Sequence, residues 1–99
     1  MKTSEKSKIL ERYFKQKGKK VVLEELSANA IILSYSAAQL AKVGNDKRYI
    51  VQQEAMNDLV ESISRVDVLL TMLELYPDED LQDAFYERLK DDITNKQPK

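Results

Sequence analysis

Residues 48–75 read RYIVQQEAMNDLVESISRVDVLLTMLEL, and residues 20–43 read KVVLEELSANAIILSYSAAQLAKV. These two stretches decide the fold. In the later one, Met56, Leu59, Ile63, Val66, Leu70 and Leu73 alternate steps of three and four, a heptad-like helical seam. In the earlier one, Val22, Leu26, Ala30, Leu33, Ala37 and Leu40 keep the same period. Between Ala30 and Ala38 that helix is apolar almost all round, as suits a helix inside a bundle or at an oligomer interface. Ala28, Ala30, Ala37, Ala38 and Ala41 permit neighbours to approach closely. The two helices are similar in length and joined by a short loop after Lys42 and Gly44, so an antiparallel hairpin is predicted.

Working outward, residues 4–17 form a first helix with Ile9, Leu10, Tyr13 and Phe14 on one face. Its last turn is basic, as the helix dipole favours, and Gly18 suits the position just past its end. A fourth helix spans residues 78–93. Pro77 and the run Asp78, Glu79, Asp80 make its N-terminal turn, and Leu81, Phe85, Leu89 and Ile93 its apolar face. The tail 95–99 is expected to fray. Met56 and Met72 read as core fillers, and Tyr35 and Tyr49 as packing residues at the hairpin or a subunit contact. No stretch carries a strand period. The expectation is one all-α, four-helix bundle-like domain over residues 1–94. It is built on a long central hairpin and oligomerises, as dimer or tetramer, through the long helices.

Composition narrows the chemistry. The 99 residues include no cysteine and no histidine. Disulfides, thiolate metal sites and Ser-His or Cys-His nucleophilic catalysis are therefore excluded. Hydrolysis would have to rest on carboxylates and a hard cation such as Mg²⁺. Net charge is −1 but unevenly spread: residues 1–20 hold eight Lys/Arg against two acids, and residues 54–92 hold twelve acids against three bases. A near-neutral chain of this kind is not expected to bind nucleic acid. On this reading no apolar run approaches membrane-spanning length, so a cytoplasmic protein with no membrane partner is expected.

Carboxylates with helical spacing are the candidate chemistry. Glu24 and Glu25 open the second helix; Asp58 and Glu61 lie one turn apart on the third. Together with the order of elements, the "EEL" at Glu24–Leu26 and the stretch ESISRVDVLLTMLEL from Glu61 resemble the MazG-like all-α nucleoside triphosphate pyrophosphohydrolases. The resemblance covers Tyr13 to Ile93. It implies short helical chains that dimerise or tetramerise, Mg²⁺ bound through an EExxE segment and a later ExxD segment, and cleavage between α and β phosphates. Carried over residue by residue, Glu24 and Glu25 match the first two acids of EExxE, and Ala28 stands in the third place. Glu61 matches the first acid of the later segment, Ser62 stands where ExxD begins, and Arg65 where it ends. The resemblance is thus to a degenerate member.

The candidate metal ligands are accordingly Glu25, Asp58 and Glu61, holding Mg²⁺ weakly if at all. The candidate phosphate contacts are Arg65, Lys20, Lys47 and Arg48. Arg65 is expected to pair with Glu61 and Asp58, placing a cation where the family holds its metal. Three functions stay open: a non-catalytic protein that binds or sequesters a nucleotide or cyclic nucleotide, suited to phages and other mobile elements; an interaction module that blocks a host protein; and a residual Mg²⁺-dependent pyrophosphohydrolase.

Overall fold

The computed structural model describes residues 1–45 and 47–95. They form four helices: α1 (Thr3–Lys17), α2 (Lys19–Val43), α3 (Tyr49–Met72) and α4 (Glu79–Asn95). No described residue is in a strand, and the all-α prediction stands. Of the tail 95–99, Asn95 closes α4 and the rest lies outside the described residues.

Local chemistry sets the ends. Gly18 sits at φ 85, ψ 160, a region essentially reserved for glycine. Its N–H donates to the Phe14 carbonyl at 2.8 Å, and its carbonyl accepts the Val22 N–H at 3.2 Å, so one residue ends α1 and starts α2. The third helix ends at Met72 rather than at residue 75. Leu73 N–H donates to Leu69 O at 3.1 Å, Glu74 N–H to Thr71 O at 3.0 Å, and Leu75 N–H to Leu70 O at 2.9 Å. This is a Schellman closure around Glu74, left-handed at φ 57 without being glycine. Nothing in the residue type announces it, and Pro77 is the louder signal. Asp78 caps α4: its Oδ1 accepts the Leu81 N–H at 2.9 Å.

The hairpin of α2 and α3 is the main packing unit, and α1 lies across it. Its seam is phased differently from the expectation. The buried residues among those described are Val22, Ser36, Ala55, Ser62 and Leu69. Half-buried Leu26, Asn29, Leu33, Leu40 and Val43 complete the α2 line, and Leu59, Val66 and Leu73 the α3 line. Three- and four-residue steps alternate along both. Ala30 and Ala37, expected in the seam, fall one residue away and are exposed. The same holds for Ile63, 50 % exposed, and Met56, 46 % exposed, which is therefore no core filler. Tyr35 and Tyr49 are also exposed and lie outside the hairpin's buried seam.

The reason is the central layer. Ser62 Oγ donates to the Asp58 carbonyl at 2.9 Å, which uses its one proton. Ser36 Oγ, 3.3 Å away, must then donate to Ser62 Oγ. Two small, mutually satisfied hydroxyls allow close approach at the centre of the hairpin. With about 100° between successive residues, and the helices antiparallel, the next position on each points to the same side. Leu23, Ala30 and Ala37 of α2 thus share an open face with Met56, Ile63 and Leu70 of α3, opposite the side that α1 covers.

The fourth helix packs against none of the other three. The radius of gyration is 17.9 Å, against about 13 Å for a compact chain of this length. The accessible surface is 8674 Å², against about 5,800 Å² for a folded monomer of 11.4 kDa. One expectation is corrected by composition: α2 is long and apolar enough to cross a membrane. Its charged residues, Lys19, Lys20, Glu24, Glu25 and Lys42, gather near its ends, and the interval between Glu25 and Lys42 carries no charge.

Two measurements check this account. Ser62→Ala should lower stability by about 1–2 kcal/mol by leaving the buried Ser36 hydroxyl without its acceptor. Combining it with Ser36→Ala should cost clearly less than the sum, read from urea unfolding followed by circular dichroism. Gly18→Ala meets no steric obstacle, yet should cost about 1–3 kcal/mol through its backbone alone.

Candidate functional site

The candidate residues gather only in part. An open groove of about 420 Å³ runs between α2 and α3, lined by Glu25, Asn29, Glu61, Ser64, Arg65, Val68 and Leu69. It lies on the side of the hairpin that carries α1. Glu25, Glu61 and Arg65 are thus brought to one surface. Asp58 does not line it, nor do Lys20, Lys47 or Arg48.

Register explains the distribution. Counting from the Ser36–Ser62 layer, Glu25 stands level with Leu73, twelve residues from Glu61, or about 18 Å along the helix axis. The two carboxylates therefore mark opposite ends of the groove. Mg²⁺ binds oxygens at about 2 Å, so one ion cannot take both within one chain. Among the described residues no group of three acidic side chains converges on a metal-sized point. The basic candidates are spread further. Lys20 is in the first turn of α2, and Lys47 and Arg48 sit in the hairpin loop and at the start of α3. The 25 residues of α2 separate these ends by about 37 Å.

Each end of the groove has its own chemistry. At one end, Arg65 Nη2 donates to Glu61 Oε1 at 2.5 Å, one turn away. Both side chains are more than half exposed, so the pair itself contributes only a few tenths of a kcal/mol. Its effect is positional: it holds a planar guanidinium, with donors to spare, over the groove. No ion pair joins Arg65 to Asp58 among the described residues. Asp58 contributes its carbonyl to Ser62 instead.

At the other end, the Tyr13 hydroxyl donates to Glu25 Oε1. Asn29 Nδ2 donates to the Glu25 carbonyl at 2.8 Å. Tyr13 belongs to the apolar face expected for α1, but its role as partner of Glu25 is not written in that spacing. Asn29 could have been found: it completes the alternation from Leu26 to Leu33 that Ala30 was thought to fill. The Tyr13 phenol is held above its ordinary value of 10.0, first by the hydrogen bond to Glu25, then by desolvation and the charge of Glu25.

That shift fixes a sign. A phenol with a raised folded pKa contributes stability while neutral and loses it as pH rises through that raised value. The stability difference between the protein and Tyr13→Phe should be constant below about pH 10 and shrink above it. Urea midpoints across that range, with phenolate absorbance as the monitor, check this.

No family model, no curated protein and no solved structure matches this chain.

Proposed function

We propose that this chain is a catalytically degenerate MazG-like protein that binds and sequesters a nucleotide carrying a single phosphate, linear or cyclic, in the groove between α2 and α3. The observation that carries the reading is the groove's two-ended chemistry. Arg65 at one end suits a phosphate, bidentately. Glu25 and Asn29 at the other suit the N–H edge of a base, and Val68 and Leu69 supply apolar surface between them. The volume lies within the range of small-molecule pockets.

Electrostatics select within the nucleotides. Two carboxylates against one guanidinium leave the groove at net −1, which opposes a triphosphate lacking Mg²⁺ but tolerates one phosphate charge. The same argument speaks against pyrophosphohydrolysis, since Glu25 and Glu61 are too far apart to hold one ion and Arg65 repels it. The reading places the protein in the cytoplasm, where nucleotides are.

A second reading is favoured by a separate observation, the apolar face opposite α1. Leu23, Met56, Val60 and Ile63 are 40–53 % exposed. That face fits self-association through the long helices, or use of the frame to hold a host protein.

Isothermal calorimetry with linear and cyclic mononucleotides and triphosphates, with and without Mg²⁺, tests the proposal. A mononucleotide is expected to bind, to outrank triphosphate without Mg²⁺, and to lose at least about tenfold in affinity in Arg65→Ala. No heat with any nucleotide at millimolar concentration overturns it. Phosphate release coupled to a pyrophosphatase is expected to show no turnover.

A further inference from the structure

We infer that α4 is an exchanged arm: it docks on a second copy of this chain, seating Leu81, Phe85 and Leu89 in the groove between α1 and the end of α3. The inference is independent of the ligand reading.

The arm is unpartnered. It packs on no other helix of its own chain, and Leu81, Phe85 and Leu89 are 72 %, 53 % and 40 % exposed. Alone, a helix of 17 residues is marginal in water, because most helical stability in proteins comes from packing an apolar face. The hydrogen-bonded cap at Asp78 sets where it starts but gives it nothing to pack on.

The receiving groove is on the same molecule. It has a volume of about 570 Å³, and its lining includes Leu10, Phe14, Met72, Leu73, Tyr76 and Lys15. The same lining carries Glu11 and Glu74 against Lys15, so the charge match lies between the whole helices and not in the groove itself. The first helix carries five basic and two acidic residues, and α4 six acidic and two basic. Opposite net charges attract over about a Debye length and orient the approach.

The connector directs the arm to another copy. Glu74 is locked left-handed by the Schellman closure, Pro77 fixes its own φ, and Tyr76 is itself part of the groove wall. Short, stiff connectors of this kind favour exchange between identical chains. The exchange is reciprocal, each arm filling the other copy's groove around a two-fold axis.

The area is sufficient. The chain exposes about 2,900 Å² more than a compact monomer of its mass, and a stable interface covers about 800 Å² per partner.

The full chain has no cysteine, which makes the test clean. Chains carrying only Phe14→Cys and chains carrying only Phe85→Cys are mixed and oxidised, alongside a chain carrying both. The inference expects a covalent dimer between the two single variants. It also expects a light-scattering mass above the monomer at micromolar concentration, falling in high salt. Phe85→Asp should weaken association at least about tenfold and lower the helical content of α4, which then has nothing to pack on, while the hairpin of α2 and α3 stays folded. A monomeric mass, or a bridge formed only within the doubly substituted chain, overturns the inference. So does association that survives Phe85→Asp but is lost in Ile63→Asp, which would leave the hairpin face as the sole interface.

Discussion

The hydrogen bond between Ser36 and Ser62 governs how this chain is built. It marks the register of the hairpin: the Ser36 hydroxyl meets its acceptor when these two residues share a layer, while that of Ser62 donates within its own helix. It also fixes which side of each helix faces inward. A buried hydroxyl without a partner would cost more than most single apolar contacts contribute. The helices therefore rotate to satisfy the serines, and the bulky residues one position along turn outward.

That rotation has a consequence for stability. A seam containing Ser36, Ser62, Ala55 and Asn29 buries little apolar area. Val22 is the one large side chain among the described residues that is sealed from solvent entirely. A chain of 99 residues has little surplus stability to begin with. Leu23, Met56 and Ile63 on the open face, and Leu81 and Phe85 on α4, hold the apolar surface that the seam omits. The shortage inside and the excess outside are one fact, and intermolecular packing would offset both.

Much of this was legible in the residues. Helix count, the hairpin and the break at Gly18 follow from period and punctuation. So does the Arg65–Glu61 pair, since residues four apart share a helix face. The seam was half legible. Val22, Leu26, Leu33, Leu40, Leu59, Val66 and Leu73 were placed correctly, while the intervening positions were assigned to Ala30, Ala37, Met56, Ile63 and Leu70. Counting hydrophobicity favours the bulky residue of an adjacent pair. It misses that Ser62 can sit inside because its hydroxyl bonds the Asp58 carbonyl, and Ser36 because it bonds Ser62. The site shares that difficulty. Glu25 and Glu61 each sit where a ligand could be, but only the register shows that they stand at opposite ends of one groove.

The same register separates ligand from assembly. Glu25, Arg65 and α1 lie on one side of the hairpin, and Leu23, Met56 and Ile63 on the other. The receiving groove for α4 lies beyond Glu25, toward the end of α3. Pairing through the far face, or through the arm, leaves the groove at Arg65 open. Tyr13 is the point where the two meet: it stands on the helix that would receive the arm, and its hydroxyl holds Glu25. An arm seated against Leu10 and Phe14 would press on the neighbour of the residue that positions Glu25. A contact between chains would thereby be linked to the Glu25 end of the groove through one hydrogen bond.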